Sequence, residues 1–185
     1  LLFIVAPLIG LFFTTPYTDI IETAVDKEVT DSIILTLTVS FFATIFFAFA
    51  SIPFSYILAR KQFRFKRVVL GIIDIPVVIP HSAAGIAVLG LVSRISTVGQ
   101  FASEFGINFV GHPLGIATAM AFVSIPFLIN AARDGFEAVP VRLEKAALNL
   151  GASPIKVFFT ISVPLAWKHI LSGLIMMFAR GMSEF

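Results

Sequence analysis

Cysteine is absent from the 185 residues, and only 13% of them carry a charge. The first absence excludes disulfides, thiolate metal sites and cysteine nucleophiles. The second sets the chain apart from soluble domains, in which about a quarter of residues are charged. Histidine is also scarce. His81, His112 and His169 fall in three separate segments, so no metal site is expected. Clustered catalytic groups are missing, and so is any Gly-x-x-x-x-Gly-Lys-Ser/Thr run. A membrane-embedded enzyme is therefore disfavoured, catalytic residues are none, and the chain has no phosphate loop with which to hydrolyse ATP.

What is abundant is apolar: 58% of residues are hydrophobic and the mean hydropathy is +1.00. The excess falls in blocks of about the 20 residues that a helix needs to cross a bilayer. Five such blocks are read, at 1–13, 33–59, 68–93, 113–132 and from 165 onward. They are continuously apolar rather than alternating, which argues for helices and against a β-barrel. Pro76, Pro80 and Pro126 lie inside blocks and predict kinks or breaks. The expected fold class is all-α, a polytopic transmembrane helix bundle. Leu1 and Phe185 both stand within apolar runs. Residues 1–185 thus read as a single domain cut at both ends, with 1–13 the remainder of a span rather than a signal peptide.

The charges between blocks are lopsided. Segment 60–67 holds Arg60, Lys61, Arg64, Lys66 and Arg67 with no acid, and segment 133–164 holds four bases against three acids. Segment 14–31 holds five acids against Lys27 alone, while 94–112 has one of each sign. The positive-inside rule puts 60–67 and 133–164 in the cytoplasm and the other two outside, in a multi-pass protein of the cell (inner, cytoplasmic) membrane.

Segment 133–164 has structure of its own. Pro140 suits a helix start, and Leu143, Ala146, Ala147 and Leu150 share one helical face. Gly151 suits the position just past a helix end, and Ser153-Pro154 reads as an N-cap followed by a first helical residue. Two short helices about a glycine turn would form a protruding knob.

This segment resembles the glutamate-alanine-alanine loop of ABC importer permeases. The matching residues are Glu144-Lys145-Ala146-Ala147, then Gly151-Ala152-Ser153, then Ile161 and Pro164. The spacings from glycine to isoleucine and from isoleucine to proline agree. One departure is that Lys145 holds the motif's usual glutamate position, with Glu144 one residue earlier. The resemblance implies the type I importer permease fold, with about five of six spans present. It implies that Glu144, Lys145, Ala146, Ala147, Gly151, Ile161 and Pro164 couple the spans to an ATPase, 141–150 being the coupling helix. It implies a second permease copy, two ATP-binding cassette subunits that bind ATP and Mg, and an extracytoplasmic substrate-binding protein. Lipid surrounds the spans, no nucleic acid is expected, and the chain itself holds no cofactor.

The stretch from Asp74 to Leu89, with Pro76, Pro80 and His81-Ser82-Ala83-Ala84-Gly85, is most similar to the molybdate/tungstate branch of that family. Gly181-Met-Ser-Glu184-Phe185 resembles the start of its Arg-x-x-x-Glu-Phe-Gly stretch. A sulfate/thiosulfate or other ABC permease, and a stand-alone secondary transporter, are the competing readings. Ser82 and Ser124 could offer hydroxyls to an oxyanion, or bond back to their own helices. Arg180 and Glu184, four apart, read as a gate or as a structural ion pair. Asp74 is expected to pair with the 60–67 cluster. His81 reads as a pathway residue or a satisfied core histidine.

Overall fold

A computed structural model describes residues 2–14 and 16–183, without the side chains of Ile4, Leu8, Phe12 and His81. Among them there is no strand. Ten α-helices follow in order: α1 Leu2–Thr14, α2 Tyr17–Val25, α3 Lys27–Arg60, α4 Lys66–Val78, α5 His81–Val92, α6 Thr97–Glu104, α7 Pro113–Ala138, α8 Val141–Asn149, α9 Pro154–Val157 and α10 Val163–Met182. A π-helical turn, Phe158–Ser162, joins α9 to α10. The helices divide into two units, 1–38 and 39–185.

The first unit holds α1, α2 and the beginning of α3. Among its described apolar side chains, Leu2, Phe3, Leu11 and Phe13 on α1, and Ile21 and Val25 on α2, are exposed. Such surfaces suit lipid or neighbouring helices rather than water.

The second unit is built on α7 and α10, which pack along their lengths through small residues. A Cβ added at Gly135 would stand 2.5 Å from the Cβ of His169. One added at Gly173 would stand 3.0 Å from the Cβ of Ala131 and 3.1 Å from Leu128 Cδ1. Close backbone approach of this kind holds helices together where lipid removes the hydrophobic drive for association. Leu128, Ala132, Phe136, Ala166 and Met177 fill the seam and are buried.

Length and composition allow three described helices to cross a membrane: Lys27–Arg60, Pro113–Ala138 and Pro154–Met182. A fourth is allowed if α4 and α5, bent by 113°, count as one broken span. The block at 1–13 forms the 13-residue α1, which rises only about 20 Å against a core of roughly 30 Å and so is not counted among these. The break falls where the prolines predict it. Ile79 precedes Pro80 and is extended at φ −70°, ψ 135°, because the proline ring disfavours helical backbone before it.

Two expected boundaries move. The segment read as loop from residue 133 is still α7 as far as Ala138, and the helix that carries the fifth block begins at Pro154 rather than near 165. The cause of the second shift is the π turn. Pro164 lacks an N–H, and its ring would strike the carbonyl of Thr160 in an unbroken α-helix. Widening the preceding turn, with the Val163 amide donating to the Phe158 carbonyl, lets the helix run on.

Candidate functional site

The two short helices of segment 133–164 form as their residues dictate. Ser153 caps α9, its Oγ accepting from the Lys156 amide at 3.3 Å, with Pro154 in the first turn. Gly151 sits at φ +86°, which the absence of a Cβ permits. Its amide donates to the Leu148 carbonyl, and the Ala152 amide to the Ala147 carbonyl, closing the end of α8 with the paired bonds of a Schellman turn.

Burial on α8 runs opposite to the usual pattern. Val141, Leu143, Leu148 and Leu150 are exposed, Leu150 at 89%, as are Lys145 and Ala146. Ala147 is half-buried. The buried member is the acid, Glu144, at 5%.

Burial of Glu144 is matched by donors from α3 and from the π turn. Arg60, the last residue of α3, grips it with two nitrogens: Nε at 2.9 Å from Oε2 and Nη2 at 2.8 Å from Oε1. The Ser162 hydroxyl, at 0% exposure in the π turn, donates to Oε1 at 2.7 Å. The Tyr56 hydroxyl, one turn before Arg60, donates to Oε2 at 3.3 Å. Arg60 Nη2 also donates to the Val139 carbonyl at the end of α7, at 3.0 Å, and the guanidinium carbon lies 5.8 Å from the Tyr56 ring centre. Below this polar knot, Tyr56, Phe136 and Phe158 stack edge-on and tilted at 5.0–5.9 Å between centroids. One ion pair thus ties α3, α7, α8 and the π turn. A fork of two charge-assisted bonds fixes both distance and direction.

Of the residues singled out for coupling, Glu144 is drawn inward, while Lys145, Ala146, Gly151 and Pro164 face outward and Ile161 is half-buried. Arg60, Tyr56 and Ser162 were not among them. Arg60 was hidden in a basic cluster that explains itself by topology. The four-residue spacing from Tyr56 to Arg60, which places both on one face of α3, was the available signal.

The pathway candidates are dispersed. Ser82 is exposed in the first turn of α5. Ser124 is buried and its hydroxyl donates to the Met120 carbonyl at 2.6 Å, one turn back along α7. A Cβ at Gly181 of α10 would stand 3.6 Å from that oxygen. Arg180 lies near the end of α10, with Nη1 3.5 Å from Ser183 Oγ. Glu184, its expected partner, and the His81 side chain lie outside the described residues. Asp74 does not pair with the 60–67 cluster. It sits about two turns beyond that segment on α4 and accepts instead from Asn130 Nδ2 of α7 at 2.7 Å. The pair lines a recess of about 340 Å³ with Pro126 and Met176. Lys66 of the cluster pairs with Glu137 at 3.6 Å.

Comparison with known proteins gives one family and a consistent set of relatives. Residues 51–185 match the model of the binding-protein-dependent transport system inner membrane component. Over 133 residues the chain is 48% identical to the molybdate/tungstate transport system permease protein WtpB of Pyrococcus abyssi, covering 72% of this chain and 48% of that protein. The protein of the same name from Pyrococcus furiosus is 40% identical over 187 residues, covering 98% and 69% respectively. The molybdenum transport system permease protein ModB of Escherichia coli K12 is 35% identical over 155 residues, covering 83% and 68%. The chain spans about half to two thirds of the length of these relatives.

Proposed function

The chain belongs to the binding-protein-dependent transport system inner membrane components, and on that premise we propose that it is the membrane-spanning part of an ATP-driven importer of molybdate or tungstate. Two copies would form the pathway. Two ATP-binding cassette subunits, holding ATP and Mg, would sit beneath segment 133–164 on the cytoplasmic side, with 60–67 beside them. A soluble binding protein would deliver the oxyanion from the outer side, where 14–31 and 94–112 lie.

The observation that carries this reading is the reversed burial of α8. A helix that anchors itself by its acid and leaves Leu143, Ala146 and Leu150 exposed on one face presents a ready-made surface to a groove in another protein. A stand-alone transporter has no use for such a face. The substrate class rests on the WtpB and ModB relatives, and the chemistry agrees with it. A tetrahedral dianion needs hydrogen-bond donors and weak positive potential along its path, not a tight cationic cage. The broken helix at Pro80, with Ser82 in the first turn that follows, offers free amides and a hydroxyl.

The test is ATP hydrolysis by the assembled transporter in proteoliposomes, with molybdate, tungstate or sulfate presented on the binding protein. Stimulation by molybdate or tungstate and little by sulfate is expected. Equal stimulation by sulfate moves the protein to the sulfate/thiosulfate reading, and uptake without any ATPase overturns the coupling role.

A further inference from the structure

Building on that reading, we infer that Arg60 is a positioning residue through which displacement of α8 is handed to α3, a helix with no direct chain connection to the coupling segment. The chain links α8 directly to α7 on one side and, through the π turn, to α10 on the other. A push on α8 reaches those two helices through the backbone. It reaches α3 only through contacts: ring packing, a 3.3 Å hydrogen bond from the Tyr56 hydroxyl to Glu144 Oε2, and the Arg60–Glu144 pair. Tyr56 against Phe136 and Phe158 is ring packing, which resists compression but slides and separates at little cost. Arg60 on Glu144 is a planar, bidentate pair, and among the described residues it is the only ion pair from α3 to the segment. It resists pulling and turning as well as pushing.

The pair is largely sheltered from solvent, with its side chains 14% and 7% exposed, so separating the partners when α8 moves is costly. Ser162 and the Val139 carbonyl occupy the remaining directions around it. The cytoplasmic end of α3 must therefore follow α8, or the pair must break in a buried place. This also accounts for an acid at position 144 that faces away from the docking side. Its task is inward, toward the spans.

Two measurements on the assembled transporter decide the matter. The first is the number of oxyanions imported per ATP hydrolysed in Arg60→Lys, which keeps the charge and loses the fork, and in Arg60→Met. The expected result is a ratio lowered about tenfold in Arg60→Met and less in Arg60→Lys, with the ATPase still bound and still hydrolysing. Import and hydrolysis falling together, in step with lost ATPase, would show a merely structural role and overturn the inference. So would an unchanged ratio.

The second uses the absence of cysteine from these 185 residues. Spin labels at Lys61 and Lys145, both exposed, report the distance between the end of α3 and α8 within one copy. It should stay constant on ATP binding in the unaltered pair and shift in Arg60→Met. A shift while the pair is intact would mean that α3 does not follow α8. If no ATPase associates at all, the coupling role proposed above fails. If it associates and these ratios and distances go the other way, only the role of Arg60 fails.

Discussion

The seam between α7 and α10 and the knob at α8 solve the same problem by different means. Along the seam, glycine and alanine let two backbones approach, and stability comes from shape spread over many contacts, with Gly135, Gly173 and Gly181 each leaving room for a neighbour. At the knob, nine residues of helix are held by one buried carboxylate with donors from Arg60, Ser162 and Tyr56. The first arrangement suits lipid, where close packing is the main attraction left. The second leaves the apolar side chains of α8 free while fixing its orientation. Attachment through a single polar knot makes the helix rigid and also vulnerable at one point.

Breaking that point should have the largest effect. Glu144→Ala strands the Arg60 guanidinium in a buried site and should cost about 3–5 kcal/mol, read as a fall in thermal stability in detergent. Replacing both partners, Arg60→Met with Glu144→Met, should recover much of that loss while leaving import uncoupled. The seam should break next. Gly173→Leu forces a side chain against Ala131 and Leu128 and should cost about 1–3 kcal/mol with no partner able to rescue it. That contrast, rescue at the knot and none at the seam, is the sharpest test of the difference between them. Gly151→Val is smaller in stability, about 1–2 kcal/mol for a β-branched residue at φ +86°. Because it distorts the end of α8, its larger readout should be loss of co-purifying ATPase.

Local chemistry was legible in the sequence and distant pairing was not. Gly151, Ser153-Pro154 and the break before Pro80 each act within a few residues, so the turn, the cap and the 113° bend follow from residue type. The basic run from Arg60 to Arg67 gave a membrane side but no partner. Glu144 lies 84 residues from Arg60, and no periodicity connects them. Asp74 went astray for the same reason, since Asn130 lies 56 residues away on α7. The continuity of α9 with α10 was hidden because Pro164 would break a regular α-helix, and the π turn at Phe158–Ser162 shows how the chain avoids that. On α8, Leu143, Ala146 and Leu150 of the expected stripe are exposed and Ala147 is half-buried. Which way the stripe points depended on Arg60.

Whether α8 is a cytoplasmic docking face can be settled with a single cysteine at Leu150, the most exposed residue of the segment's apolar set, in an otherwise cysteine-free chain. Labelling by a membrane-impermeant thiol reagent is compared in inside-out and right-side-out vesicles, with and without bound ATPase. Labelling only in inside-out vesicles, abolished when the ATPase is seated, is the expected result. Labelling from the outer side, or labelling that the ATPase leaves unchanged, would contradict the account.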